Sequence, residues 1–301
     1  MPSVSSIEEA SAALAAAHAE GRRIRIGSEL TTDGLTRVLE HDPGDLTCTV
    51  ETGVRLSELQ AALAATGQRL SLDPPGNPTI GSLLARNASG PLRHRFGAPR
   101  DLVLGTTLVL GDGTIANAGG KVVKNVAGYD LARLVCGSEG RLALIARASF
   151  RLHPLPKATQ TLVVETGDAA VTVASLLRSQ LQPSALDVLH PGRVAVLFEG
   201  SERAVAAQVA TAREVVGGSV ADPSVWGESR GRQAAALGRV RFEPRDLEPT
   251  LGELDEAILR PAAGIAYAKQ PTPNERVEQG GWQQLVERIA AELDPRGVLA
   301  A

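Results

Sequence analysis

The spacing of hydrophobic and polar residues along the chain predicts a mixture of helices and strands. Between Ile7 and Glu20 the apolar residues recur every three or four positions, as on one face of a helix. Over residues 142–152 they alternate with polar residues, as in a strand with one buried face. The same patterns, with turn residues, predict strands near 23–26, 46–50, 102–110, 114–118, 161–165, 185–189, 194–198 and 262–269, and helices near 57–66, 169–179, 202–216, 226–237, 251–258 and 282–293.

The pattern changes at residues 153–156, His-Pro-Leu-Pro, where prolines interrupt both helices and strand pairing. Short elements separated by Gly- and Pro-rich loops precede this point, and longer regular elements follow it. We therefore predict an α+β fold. Its first domain covers residues 1–156, and a smaller α+β domain with a C-terminal helix covers residues 157–301.

Composition excludes several classes of function. The 301 residues are 43% hydrophobic and 22% charged, which is typical of a folded globular protein. The net charge of −3 and the scarcity of aromatic residues argue against nucleic-acid binding. No apolar run approaches the ~18 residues of a membrane span, and the N-terminus lacks the features of a secretion signal. We expect a cytoplasmic protein that meets a membrane only through partners.

The two cysteines, Cys48 and Cys136, stand far apart and belong to no recurring Cys/His spacing. This argues against a disulfide framework, a zinc site or an iron–sulfur cluster bound by this chain alone. We interpret both as small core residues.

The segment 73–90, rich in Pro, Gly and Asn, is the first candidate for a binding site. Thr79 is placed to cap a short helix, and the small residues Gly81 and Ser82 would leave the first N–H groups of that helix open to an anion. Such a unit suits the diphosphate of a dinucleotide. An ordinary surface loop with a capped helix is the alternative interpretation.

Two later Gly-rich segments, 119–131 and 137–145, shift the balance toward a cofactor site. The Gly-Ser-Glu-Gly turn at 137–140 leads into a strand and can place backbone groups along the edge of an adenine or flavin ring. Within 119–131, Lys121, Lys124, Tyr129 and Asp130 either shape the site or hold a loop. Each segment alone is unspecific.

Together these motifs carry a family resemblance. Residues 36–156 closely resemble the flavin-binding domain of the vanillyl-alcohol oxidase/p-cresol methylhydroxylase (PCMH) superfamily, and above all FAD-binding subunits of bacterial glycolate oxidases. The matching stretches, in order, are Leu72-Asp73-Pro74-Pro75, Thr79-Ile80-Gly81, Asn87-Ala88-Ser89-Gly90, Arg95-Phe96-Gly97, residues 100–105, residues 119–131 and Gly137-Ser138-Glu139-Gly140.

The resemblance implies a PCMH-type FAD-binding domain of two α/β subdomains followed by a small α+β cap, with FAD held non-covalently. Asn87, Ser89 and backbone near Gly81 would hold the diphosphate, and the turn at Glu139 and Gly140 would meet the adenine. The residues expected to contact FAD are Asp73, Pro74, Pro75, Gly76, Asn77, Pro78, Thr79, Gly81, Ser82, Arg86, Asn87, Ala88, Ser89, Gly90, Glu139, Gly140 and Ile145.

The resemblance also implies a function: the FAD-binding subunit of a 2-hydroxy-acid oxidoreductase. Its electrons would pass to partners, a paralogous FAD-linked oxidase subunit and an iron–sulfur subunit. No His and Arg constellation able to serve a 2-hydroxy acid is evident in residues 157–301, which favours substrate chemistry in a partner. His94 is either a cation near the flavin or a solvated loop residue, and His153 and His190 are interpreted as loop residues.

One departure keeps a second hypothesis open. Where the family has a Gly-rich first phosphate loop, residues 24–31 contain a single glycine, and Glu29 places a negative charge nearby. The alternative is therefore a flavin-free, non-catalytic subunit that stabilises a flavoprotein and iron–sulfur complex. A free-standing dinucleotide-dependent dehydrogenase is disfavoured because no Gly-x-Gly-x-x-Gly follows a strand.

Overall fold

The computed structural model describes residues 3–120, 130–272 and 282–300. Residues 121–129, with Lys121, Lys124 and Tyr129 of the second Gly-rich segment, lie outside the described residues. Within the described ranges the chain forms two main antiparallel sheets with helices packed on them, which confirms the predicted α+β class.

The first sheet has five strands in the order β1-β2-β6-β4-β5, and β3 and β7 form a separate two-stranded ribbon. These strands are β1 (Val38–Asp42), β2 (Thr47–Glu51), β3 (Gln68–Arg69), β4 (Val103–Val109), β5 (Ile115–Gly119), β6 (Leu144–Arg151) and β7 (His153–Pro154). The helices of this half are α1 (Ile7–Glu20), α2 (Leu56–Ala64), α3 (Ile80–Ala85), α4 (Arg93–Phe96), α5 (Pro99–Leu102) and α6 (Leu131–Leu134).

The second sheet has seven strands in the order β11-β8-β10-β9-β13-β14-β12. They are β8 (Ala158–Glu165), β9 (Ala185–His190), β10 (Arg193–Gly200), β11 (Ser219–Ala221), β12 (Gly238–Arg241), β13 (Ala257–Arg260) and β14 (Ile265–Ala268). The later helices are α7 (Ala169–Arg178), α8 (Glu202–Val216), α9 (Ser224–Ala234), α10 (Leu247–Gly252) and α11 (Trp282–Leu293). Within the described ranges, no helix is both long and apolar enough to span a lipid bilayer.

The strongest sequence patterns produce the expected elements. Helix α1 begins at Ser6, whose hydroxyl accepts the N–H of Glu9, and ends at Gly21 in the left-handed conformation, φ +66°. In β6 the even-numbered residues are buried, and Arg147 and Ser149 are only half-buried. Both predictions are confirmed.

Two other predictions were wrong in part. The helix expected at 251–258 ends at Gly252, and Ala257–Arg260 is instead the buried strand β13, paired with β9 and β14. A short apolar run fits either a buried helix or a buried strand, so only its neighbours decide between them. Residues 23–26 form isolated bridges, from Ile24 to Leu299 and from Ile26 to Leu30, rather than a strand.

The end of the chain returns to the first half of the molecule. Val298 and Leu299 are buried with Ile7 and Leu14 of α1, and the N–H of Ala300 donates to the carbonyl of Ile24. The division at residue 156 stays a prediction. The change from the first sheet to the second falls beside it, and the C-terminal residues complete the core around α1.

Candidate functional site: a cofactor cleft

A cleft with a volume of about 620 Å³ lies beside α3, in the first half of the molecule. This volume is within the range of small-molecule and cofactor sites. Its walls come from four separate parts of the chain: Ile26, Gly27, Ser28, Thr31, Thr32, Asp33, Arg55, Pro78, Thr79, Gly81, Ser82, Ala85, Arg86, Glu139, Gly140, Ala143 and Ile145.

The cleft brings together part of the predicted contact set. Pro78, Thr79, Gly81, Ser82, Arg86, Glu139, Gly140 and Ile145 line it. The other predicted contacts do not line this cleft: Asp73, Pro74, Pro75, Gly76, Asn77, Asn87, Ala88, Ser89 and Gly90. A role in FAD binding stays a prediction for both groups.

Helix α3 forms one wall, and its start differs from the expectation. Thr79 caps the helix as predicted, because its hydroxyl accepts the N–H of Ser82 at 3.2 Å. The N–H groups of Ile80 and Gly81 are not open to an anion. They donate to the carbonyls of Val54 and Thr52 at 2.9 and 2.7 Å. The expectation of free amides was wrong, because the loop before α2 packs against the helix and accepts their hydrogen bonds.

The turn at residues 137–140 contributes Glu139 and Gly140 to the wall, next to the end of α3. Gly137, Glu139 and Gly140 have positive φ, and the N–H of Glu139 donates to the carbonyl of Ala85 at the end of α3. A Cβ on Gly140 would lie 2.7 Å from the Cβ of Ile26, which real structures do not allow. Gly140 therefore permits the chain near Ile26 to pack against this turn.

Residues 25–30, in place of a Gly-rich loop, form a tight turn closed on itself. The N–H groups of Ser28, Glu29 and Leu30 all point to the carbonyl of Arg25, and that of Gly27 donates to Leu30. The carboxylate of Glu29 accepts the N–H of Arg25 and does not line the cleft. Within this segment the carboxylate that lines the cleft is that of Asp33, and the effect of Glu29 on a diphosphate stays a prediction.

The residues of the cleft fit FAD. The small residues Gly81, Ala85, Gly140 and Ala143 keep its walls close to the backbone, which suits a large planar ligand. The guanidinium groups of Arg55 and Arg86 supply positive charge for a diphosphate.

Known proteins that are similar to this chain include FAD-binding domains and glycolate oxidase subunits. Residues 3–119 match a family model described as an FAD binding domain. The chain is 35% identical over 201 residues to the glycolate oxidase subunit GlcE of Escherichia coli. Residues 3–119 of this chain therefore resemble an FAD-binding domain of the PCMH type. The predicted resemblance and the predicted cofactor are confirmed.

The other relatives are similar to the FAD-binding domain over shorter stretches. Glycolate oxidase subunit GlcD of Bacillus subtilis is 36% identical over 168 residues, and a D-lactate dehydrogenase of Archaeoglobus fulgidus is 36% identical over 176 residues. The three alignments cover 65%, 54% and 56% of this chain. They span 56% of the GlcE relative, 36% of GlcD and 39% of the dehydrogenase.

Solved structures support the fold of the whole chain. An alkyldihydroxyacetonephosphate synthase superposes with a TM-score of 0.75 at 17% identity. The superposition covers 98% of this chain and 74% of the synthase. The second sheet is therefore part of the shared architecture, together with the FAD-binding domain.

A second polar cluster lies where the FAD-binding domain meets the second sheet, and the sequence analysis missed it. The guanidinium of Arg260 lies 3.4 Å from the carboxylate of Asp187, and both side chains are almost completely buried. Arg260 also donates to the side-chain oxygen of Gln233, and Gln233 donates to the backbone carbonyl of Ser89 at 2.9 Å. The sequence did contain a clue to this cluster. Two strands that are otherwise largely apolar each contain a charged residue, Asp187 in β9 and Arg260 in β13.

Asp73 faces the same region. Its carboxylate accepts the N–H of Leu92 at 3.0 Å and lies 3.6 Å from Arg230. Burial nevertheless raises the pKa of Asp73 to about 7, because desolvation outweighs these favourable contacts. His94 is half-buried rather than solvated, and burial lowers its pKa. The buried surroundings therefore favour the uncharged form of His94.

The remaining candidates are structural. Cys48 is buried and Cys136 half-buried, and burial raises the pKa of both thiols to about 12, which confirms their core role. His153 lies in β7 with its ring 4.7 Å from that of Phe96, and burial among arginines lowers its pKa to about 4. His190 ends β9, and its Nε2 lies 3.0 Å from the carbonyl of Leu254.

Proposed function

We propose that this protein is the FAD-binding subunit of an oxidoreductase that acts on small 2-hydroxy acids. The observation that carries the proposal is the cleft beside α3, whose lining includes residues of two segments that the family resemblance assigned to FAD. Relatives described as glycolate oxidase subunits and D-lactate dehydrogenases support the substrate class.

The cleft would hold FAD, which supplies a hydride acceptor when bound, and the hydroxyl proton of the 2-hydroxy acid would pass to a base. The walls of the cleft, α3 and the turn at 137–140, would hold the adenosine diphosphate part of the cofactor and exclude water from it. Arg260 and Asp187 neutralise each other at the domain contact. We therefore assign the substrate's base and carboxylate partner to another subunit.

The partners we propose are a paralogous FAD-linked oxidase subunit and an iron–sulfur subunit that receives the electrons. The relatives described as glycolate oxidase subunits support an assembly of this kind. We place the complex in the cytoplasm, with membrane contact only through the partners.

A second candidate function rests on the turn at residues 25–30. Its amides are paired with its own carbonyls, so it offers a cofactor fewer free N–H groups than a Gly-rich loop does. In this alternative the chain is a flavin-free subunit that stabilises the complex.

The deciding experiment is an absorption spectrum of the purified full-length chain after incubation with FAD and removal of free cofactor. We expect a flavin band, and Ala85→Leu, which places a larger side chain on the wall of the cleft, should reduce it by half or more. Ala234→Leu, at the end of α9 and away from the cleft, is the matched control. A colourless wild-type protein would contradict the proposal and support the structural subunit.

A further inference from the structure

We propose that Arg55 and Arg86 hold the diphosphate of FAD through their side chains, replacing the backbone amides that a Gly-rich loop would supply. This inference rests on the proposed function. If it is correct, Arg55 and Arg86 allow the cleft to distinguish dinucleotides from ligands that have no diphosphate.

Most backbone donors in three segments beside the cleft already have acceptors within the protein. In the turn at residues 25–30, the N–H groups of residues 27 to 30 are paired within the turn. At the start of α3, the N–H groups of residues 80 to 83 donate to Val54, Thr52 and Thr79. At the turn beside the end of α3, the N–H groups of residues 137, 138, 139 and 141 are also paired. A diphosphate would have to break existing hydrogen bonds to use any of these amides.

The side chains of Arg55 and Arg86 are the cationic donors that line the cleft. Among the described residues, neither the guanidinium of Arg55 nor that of Arg86 has a carboxylate within ion-pair distance. Arg55 donates to the carbonyl of Asn77 at 3.0 Å, and Arg86 to the hydroxyl of Ser82 at 2.5 Å. Both side chains line the cleft and carry further N–H groups than these contacts use. Planar guanidinium groups bind phosphate oxygens with charge-assisted hydrogen bonds, often two at a time.

Two carboxylates, those of Glu139 and Asp33, also line the cleft. Glu139 lines the cleft, but Arg141 lies 3.8 Å from it and offsets its charge. Asp33 also lines the cleft, is exposed, and has no cation within ion-pair distance among the described residues. A diphosphate would be repelled by Asp33, so removing that charge should strengthen binding while removing either arginine should weaken it.

The test is calorimetric titration of the full-length chain with FAD, ADP and riboflavin. We expect Arg55→Gln and Arg86→Gln each to weaken FAD and ADP binding about tenfold, and the double variant more, since a hydrogen bond to a charged group contributes about that factor. Asp33→Asn should tighten both ligands several-fold. Riboflavin, which has no phosphate, should bind all variants equally.

Arg178→Gln, at the exposed end of α7, carries the same change of charge and is the matched control. The salt dependence of ADP binding gives a second readout, because loss of an arginine contact should make it shallower. Thermal unfolding checks that the exposed substitutions leave the fold intact.

Each result decides between the hypotheses. If wild type binds FAD and the arginine variants bind it as tightly as Arg178→Gln, the diphosphate assignment is wrong and the proposed function stands. Equal losses of riboflavin and FAD would also overturn the assignment, since the arginines would then act on the whole cleft. A wild-type chain that binds neither FAD nor ADP would overturn both proposals.

Discussion

Asp73 shows how a single residue can have surroundings that its sequence position does not reveal. It stands in a Pro-rich loop that reads as exposed, yet its carboxyl is desolvated where the FAD-binding domain meets the second sheet. An unfolded aspartate has a pKa near 3.8, whereas burial raises that of Asp73 to about 7. The folded protein therefore binds a proton more tightly there than the unfolded chain does.

This difference predicts a pH dependence of stability. The contribution of Asp73 is fully present below about pH 4 and is lost as the pH rises to about 7. Asp73→Asn should remove this loss, so the variant gains stability relative to wild type between pH 4 and pH 7. Urea unfolding at a series of pH values measures the difference. Asp45→Asn, at an exposed turn, is the control, and a constant difference between Asp73→Asn and wild type would contradict the prediction.

Among the elements, α3 is so short that its stability depends on its N-cap residue, Thr79. It has only six residues, too few to be stable alone, and Thr79 fixes its first turn. Its buried residues Ile80, Leu83 and Leu84 then join the core formed with α2 and β6. The helix that lines the cofactor cleft is thus held by the hydroxyl of Thr79, by the hydrogen bonds of its first two amides and by packing.

Thr79→Ala should therefore lower the free energy of unfolding by about 1 kcal/mol, the usual contribution of an N-cap. Thr79→Ser keeps the hydroxyl and should retain most of the stability. Chemical denaturation compares the three proteins. Equal losses in the two variants would show that the methyl group of Thr79, rather than its hydroxyl, stabilises the helix.

At the scale of the whole molecule, half-buried polar contacts join the FAD-binding domain to the second sheet. Arg69 of β3 pairs with Glu199 of β10 at 2.6 Å, and Gln233, held by Arg260, donates to the carbonyl of Ser89. Asp187 neutralises Arg260 within the second sheet. These contacts fix the orientation of the two halves as long as each buried charge keeps its partner.

Asp187→Asn should lower the free energy of unfolding by about 3 kcal/mol or more, because the charge of Arg260 is then buried without compensation. Replacing both residues, as Asp187→Leu with Arg260→Met, should recover much of the loss. Glu214→Gln, on the exposed face of α8, controls for the change of charge. If the single variant matches this control in urea unfolding, the pair does not stabilise the structure.

Features that depend on local sequence were predicted, whereas features that depend on distant segments were missed. Helix α1 and strand β6 were predicted because a period of 3.6 or 2 and a capping serine are local properties. The strand at Ala257–Arg260 was missed because its identity depends on β9 and β14. Of the predicted cofactor contacts, the cleft gathers those in α3 and in the turn at 137–140.

By itself, the sequence determined the order of most helices and strands, the Gly-dependent turns and the FAD-binding family. Only the tertiary structure decided which amides beside the cleft are already paired, and that Asp187 and Arg260 meet in one buried cluster. The reason is physical. Residue type sets local conformation, but every backbone N–H is chemically alike, and its partner depends on which distant segment the fold brings within 3 Å.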